Sequence, residues 1–207
     1  MSRIAIIGFQ GRFPGNAKSS CEFFRQLLAA DCFCRDVPAD RWSKARYVTG
    51  DMAAGKTPAG RGFFLDYDYR GFDPDVFALA TDEIAFLDPQ QRLVLEVAWE
   101  ALEQAAIDPH SLSGQAVGVY VGGFTTDHLL NQFSAQARSA LGRFSAAGST
   151  LTMLANRLSY ALDLRGPSFT VDTLRIEPHC ARRRCPRSAD RCVSHGSCRR
   201  SQLHAPP

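Results

Sequence analysis

Asp88-Pro89-Gln90-Gln91-Arg92-Leu93-Val94-Leu95-Glu96-Val97-Ala98-Trp99-Glu100-Ala101-Leu102-Glu103 is the stretch on which the fold turns. Asp88 is suited to cap a helix, Pro89 sits in the first turn where its missing N–H costs nothing, and Gln91 can complete a capping box. Behind them Val94, Val97, Ala98, Ala101, Leu102 and Ala105 fall on one apolar face, as far as Ile107-Asp108-Pro109. Downstream, Ala116 to Gly122 alternates Val117, Val119 and Val121 and stops at Gly122-Gly123, which predicts a buried strand. Ser149 is placed to cap another helix, with Leu151, Leu154, Ala155, Leu158 and Leu162 on one side. Arg165-Gly166-Pro167 breaks that pattern, and Ser168 to Asp172 reads as a further short strand.

Upstream, Arg3 to Phe9 carries the Ile4, Ile6, Ile7 run of a strand buried on both faces. Ser19 and Ser20 offer caps to a helix with Phe23, Phe24, Leu27 and Leu28 at helical spacing. From Asp31 to Arg70 the pattern gives way to Gly, Pro and charge, an excursion rather than core. Strand, helices, strand, helix, strand predicts an α/β fold with a mostly parallel sheet.

The chain has 207 residues, 45% of them apolar, 22% charged and 10% aromatic. That composition excludes disordered, collagenous and membrane-spanning classes. The N-terminus is too soon broken by polar residues to read as a secretory signal, so the cytoplasm is the expected compartment. The net charge of +3 hides a break at residue 174. Beyond it stand eight arginines (175, 182, 183, 184, 187, 191, 199 and 200) against Glu177 and Asp190, a balance of +6; the rest of the chain balances at −3. Cys180, Cys185, Cys192 and Cys198 also fall beyond the break, and Cys21, Cys32 and Cys34 before it. The last 34 residues have no helical or strand period and few large apolar residues, so they are expected to be a disordered basic tail.

Up to the break, the chain resembles the β-ketoacyl synthase domain of modular type I polyketide synthases. The resemblance rests on Gly8-Phe9-Gln10-Gly11-Arg12-Phe13-Pro14-Gly15, Pro38-Ala39-Asp40-Arg41-Trp42 and Gly62-Phe63-Phe64-Leu65-Asp66. It continues in Asp88 to Leu93 with Glu96 to Glu103, and in Ala155-Asn156-Arg157-Leu158-Ser159-Tyr160. Leu162 to Ser168 and Val171-Asp172-Thr173 complete the family order. At Gln10-Gly11 such domains usually carry a small residue followed by Cys, a minor departure. What the resemblance implies is an incomplete first half of a thiolase-like fold over residues 1–173, with a non-homologous tail over 174–207. In that fold the strand ending at Val-Asp-Thr feeds a turn carrying a nucleophilic Cys. The Cys takes an acyl chain from an acyl carrier protein, and two later His residues support decarboxylation of a malonyl-type thioester, whose carbanion attacks the acyl group. A homodimer partner is also implied.

After Thr173 this chain reads Leu174-Arg175-Ile176-Glu177, so the nucleophile's position falls on Arg175. A guanidinium stays protonated and cannot accept an acyl group. The region that would supply both His residues is absent. The reading is therefore a catalytically dead remnant with no catalytic, cofactor-binding or metal-binding residue to assign. Its tail fits an out-of-frame translation. One permitted spelling of Leu174 to Glu177, TTG CGC ATC GAG followed by the C that opens any Pro codon, gives TGC GCA TCG AGC, Cys-Ala-Ser-Ser, when read one base later, and permitted codons through Ala181 can continue as Leu-Thr-Ala-Leu.

Rival readings are weaker. Cys180, Cys185, Cys192 and Cys198 with His179, His195 and His204 lack the C-x2-C knuckles of tetrahedral zinc sites. Nothing routes the chain to an oxidising compartment for disulfides. The arginine run could make nonspecific nucleic-acid contacts but has no interleaved aromatic for stacking. His128 reads as a loop or helix-surface histidine, Cys21, Cys32 and Cys34 as packing residues, and Asp66, Asp68, Asp73 and Asp75 as a surface linker rather than a metal loop. A non-catalytic partner that pairs with an intact synthase is the alternative from another class; exposed apolar faces weigh towards aggregation or proteolysis instead.

Overall fold

A computed structural model of the protein describes residues 4–17, 19–50, 53–68 and 70–172. The chain beyond 172 lies outside the described residues, and with it the expectations of a disordered tail and of its Cys and His positions. The described chain forms two units, residues 12–66 and residues 4–11 with 67–172.

In the first unit, Ser19 takes up extended backbone and accepts the Glu22 N–H through its hydroxyl at 3.2 Å, which starts helix α1, Ser20–Ala29. The helix ends at Ala30, left-handed at φ 53°, whose N–H donates back into the last turn. The excursion folds on itself. Strand β1, Cys34–Asp36, and helix α2, Lys44–Tyr47, precede strand β2, Arg61–Phe63, which pairs antiparallel with β1. Lys44 donates to Asp36 at 2.9 Å and Arg35 pairs with Asp66. Phe13 stacks on Phe23 at 3.8 Å.

Two expectations fail in this unit. No residue of α1 is buried; Phe24, Leu27 and Leu28 all lie open although their spacing is helical. Cys21 and Cys32 are exposed rather than packed.

The second unit carries the main core. Its elements are α3 (Thr81–Ile84), α4 (Pro89–Gln104), β3 (Val119–Gly122), α5 (Asp127–Gln132), α6 (Ser145–Ser149), α7 (Met153–Ala161) and β4 (Ser168–Val171). β3 and β4 run parallel, in register from Val119 opposite Ser168 to Gly122 opposite Val171, as the α/β reading requires. One face of the pair packs on α7. There Val119, Ala155, Leu158 and Leu162 join Leu87 and Leu95 in one apolar cluster. Phe72 stacks on Phe77 at 5.3 Å, and Phe77 meets the edge of Trp99 at 5.7 Å.

The Arg3–Phe9 strand is overturned. Ile4, Ile6 and Ile7 are 93%, 88% and 71% exposed, and the segment joins no ladder among the described residues. A strand buried on both faces needs neighbours on every side, whereas this segment lies along α4. Phe9 N–H donates to Gln104 Oε1 at 2.9 Å, and Gly8 lies so close to α4 that a Cβ there would stand 2.6 Å from the Ala101 carbonyl oxygen.

Two caps also differ from expectation. Asp88 does cap α4, accepting the Gln90 N–H at 2.8 Å. Gln91 makes no capping box, because it is buried at 2% exposure and its amide is spent on tertiary partners. Ser149 ends α6 rather than starting α7, its hydroxyl donating to the Ser145 carbonyl at 2.6 Å; Thr152 stands at the N-cap of α7. The buried face of α4 accordingly centres on Gln91 and Leu95, neither of which belongs to the apolar set that the spacing singles out.

Candidate functional site

β4 brings the chain to the carboxyl end of the parallel pair, where ligands bind in open α/β sheets. The ladder runs one residue past the strands, Gly123 N–H donating to the Val171 carbonyl at 3.1 Å. Asp172 follows, the last described residue and the middle one of the Val171-Asp172-Thr173 motif. Beside this end the loop after β3 is held by α4: Gln90 Nε2 donates to the Thr125 carbonyl at 3.1 Å and to Asp88 Oδ2 at 3.2 Å. Under the sheet, Ser159 Oγ donates to Ser168 Oγ at 2.7 Å, and Ser168 Oγ donates to Asn156 Oδ1 at 3.1 Å. The carboxyl end of the β3–β4 pair is thus tied down at Val171 and at the loop after β3.

Behind the site lies a buried polar network. Arg157, on α7 and 4% exposed, donates from Nε to Gln91 Oε1 at 2.7 Å and pairs through its NH1 with Glu83 of α3 at 2.7 Å. Gln91 Nε2 donates to the Gly148 carbonyl at 3.0 Å and lies 3.2 Å from that of Ala147. The Gly148 carbonyl also accepts Asp88 N–H at 2.7 Å. Gly148 is required here, since a Cβ would stand 2.3 Å from the Phe86 carbonyl oxygen. Three side chains therefore join α3, α4, α6 and α7. No local sequence pattern predicts this network. Its available signal was Arg157 itself, a cation set three residues from Leu154 and one from Leu158 on a buried stripe.

The other candidates are structural. His128 sits half-buried on α5. Gln132 Nε2 donates to the Phe86 carbonyl at 2.8 Å, and His128 Nε2 lies 3.1 Å from that carbonyl and 2.7 Å from the Gln132 amide nitrogen. Asp68 Oδ1 and Asp73 Oδ1 each accept a backbone N–H two residues on, from Arg70 and Asp75 at 3.0 Å. Among the described residues no group of three or more His, Cys, Asp or Glu is placed to hold a metal. The described cysteines all belong to the 12–66 unit, and so none to the unit that holds the parallel pair. No helix among the described residues is long and apolar enough to cross a membrane.

The N-terminal domain of β-ketoacyl synthases matches residues 1–174. The chain belongs to the β-ketoacyl synthase family. Its relatives include a mycocerosic acid synthase-like polyketide synthase of Mycolicibacterium smegmatis, 36% identical over 82% of this chain and 8% of the relative. The non-reducing polyketide synthase olcA of Penicillium canescens is 39% identical over 82% of this chain and 7% of its own length. Among solved structures, the oxazolomycin ketosynthase domain OzmH KS7 of Streptomyces albus JA3453 aligns at a TM-score of 0.71 and 35% identity, over 81% of this chain and 29% of that one. The module 6 ketosynthase of the Bacillus subtilis 168 bacillaene synthase aligns at 0.67 and 29% identity, over 26% of its chain. The synthase fragment is thus an N-terminal piece of a thiolase-like ketosynthase domain, and it spans under a third of the solved domains it matches. The family match ends at the residue where composition breaks.

Proposed function

We propose that the chain is a remnant of a polyketide synthase condensing domain that no longer condenses. The observation that carries this reading is Arg175, three residues beyond the Asp172 that β4 delivers, at the position where the family resemblance puts the acyl-accepting Cys. Decarboxylative condensation needs a thiolate to hold the acyl chain and a pair of histidines for the extender thioester. Arg175 supplies no nucleophile, since its guanidinium stays protonated. The ancestral reaction was acyl transfer from an acyl carrier protein followed by carbon–carbon bond formation with a malonyl-type unit.

The test is direct. Incubated with an acyl carrier protein loaded with an acyl thioester, the chain gains no acyl mass, whereas an intact synthase domain does so within the assay time. A hydroxylamine-sensitive adduct on this chain would sink the reading.

A second reading, a non-catalytic partner of an intact synthase, draws on the exposed Ile4, Ile6 and Ile7. A monodisperse dimer in light scattering favours it; aggregates or rapid proteolysis favour the remnant. Contact between the basic tail and nucleic acid is tested by salt titration, and binding that vanishes near physiological salt is nonspecific.

A further inference from the structure

Charge is set apart along the chain. Residues 12–66 carry nine Lys and Arg against six Asp and Glu, whereas residues 67–172 carry six against thirteen. Within the first unit the excess gathers at α2. Arg41-Trp42-Ser43-Lys44-Ala45-Arg46-Tyr47 interleaves cations with aromatic rings, which the arginine-rich tail does not. Ser43 caps the helix by accepting the Arg46 N–H at 3.3 Å. The chain further on is latched back to it: Thr57 N–H donates to the Tyr47 carbonyl at 2.9 Å, and Lys56 Nζ to the Arg46 carbonyl at 2.5 Å. Pairing of β1 with β2 sets Arg61 opposite Asp36. Asp36 then takes both Lys44, at 2.9 Å, and Arg61, at 3.6 Å. Four cations therefore meet around α2, and among the described residues Asp36 is the one carboxylate paired with any of them. It cancels a single charge, and the backbone carbonyls cancel none. Beside these cations Tyr47 is 37% exposed, with the Arg46 guanidinium 5.3 Å from its ring centre and the Trp42 ring edge-on at 6.0 Å.

We infer that α2, with Lys56 and Arg61 beside it, is a docking surface for single-stranded nucleic acid. The surplus positive charge draws a phosphate backbone by releasing its counterions, whatever the base sequence. Tyr47 gives an unpaired base a ring to stack on, and the Arg46 guanidinium next to it adds a second planar cationic contact. The ring decides between anionic partners. An acidic protein face would use the cations and leave Tyr47 idle, and a duplex keeps its bases stacked on one another, away from the ring. This surface plays no part in acyl transfer, so the inference goes beyond the remnant reading and does not depend on it.

The experiment takes the full chain carrying Trp99→Phe, which leaves Trp42 as its one tryptophan. It is titrated with single-stranded oligothymidylate of about twelve nucleotides, at several salt concentrations. Trp42 belongs to the surface and not to the tail, so a change in its emission reports binding here rather than at the eight tail arginines. The expected result is saturable quenching that weakens as salt rises. Arg46→Gln combined with Lys56→Gln should reduce the slope of log affinity against log salt by about 0.7 for each charge removed. Tyr47→Leu should weaken binding about tenfold, and Tyr47→Phe should leave it unchanged. Where Tyr47→Leu loosens the unit, the Arg46 and Lys56 variant decides, since both side chains are exposed and serve no core. Binding that leaves Trp42 emission untouched overturns the inference, as does a salt slope that the double variant does not move. Equal affinity for polyglutamate would make the partner any acidic chain, and equal affinity for the matching duplex would remove the role of Tyr47; either result overturns it too.

Discussion

Helices α1 and α4 start alike and end differently. Each has a side-chain cap, Ser19 in one and Asp88 in the other, and each carries apolar residues at helical spacing. Yet α4 buries Leu95 and Gln91 and anchors the core of its unit, while α1 buries nothing. Capping and periodicity act within a turn or two, so they decide that a helix forms. Burial is decided by what comes to lie against it, and that is a tertiary matter. The stability of α4 thus resides in buried long-range partners, while α1 has its caps and half-open contacts such as the Phe13–Phe23 stack.

Breaking the partners of α4 should have the largest effect. Arg157→Ala leaves Glu83 and Gln91 without their cation in a site almost closed to water. Removing one partner of a buried pair costs about 3–5 kcal/mol, enough to unfold a marginal unit. Urea unfolding reports it, because the two tryptophans fall one in each unit. Trp99 lies on α4 and Trp42 in the 12–66 unit. In a Trp42→Phe background, the Trp99 fluorescence midpoint should fall sharply or the transition vanish. Leu95→Ala comes next, at about 3 kcal/mol by loss of buried methylenes and the cavity left behind. A change under about 1 kcal/mol would mean that α4 is not the centre of this core.

The sequence made much of this legible, and its failures follow one pattern. Both caps at Ser19 and Asp88, the strand at Val119, the stripe Leu154, Ala155, Leu158 and Leu162, and the parallel pairing all follow from local signals or from alternation of elements. The continuous run of Ile4, Ile6 and Ile7 predicts burial, but burial there depends on neighbours that the described residues do not supply. The spacing of Gln91 from Asp88 predicts a capping role. Its amide instead reaches 57 residues along the chain, to Gly148, and no local pattern encodes such a partner. Arg157 was visible as a motif residue, while its pairing with Glu83 depends on how α3 and α7 meet. At the candidate site the informative signal was a departure, Arg175 in place of a nucleophile, which needs no geometry to read.

Weaker perturbations sharpen the contrast. Asp88→Ala should cost about 1 kcal/mol by releasing the Gln90 N–H, a typical cap loss, seen as a small shift in the same Trp99 midpoint. In the other unit the Asp36 carboxyl is held below its ordinary value, first by the hydrogen bond from Lys44 and then by the charges of Lys44 and Arg61. A depressed carboxylate contributes stability that is present above its unfolded pKa and lost as pH falls through its folded one. Acidification below the ordinary carboxylate range should therefore loosen the contact between α2 and β1. Trp42, whose ring meets Tyr47 of α2 at 6.0 Å, should report it in a Trp99→Phe background, and Asp36→Asn should remove that part of the pH dependence.

The smallest effect belongs to α1. Leu28→Ser replaces a large apolar side chain with a hydroxyl at a position 71% exposed on a helix with no buried residue. Substitutions of this kind fall within about 0.5 kcal/mol of neutral, so the Trp42 midpoint should not move. In a helix that packs, the same change would cost several times as much. A clear drop in the midpoint would show that α1 finds a partner in solution, and it would erase the difference between the two helices. An unmoved midpoint with better solubility would show the opposite, that this face contributes to association between molecules and not to the fold.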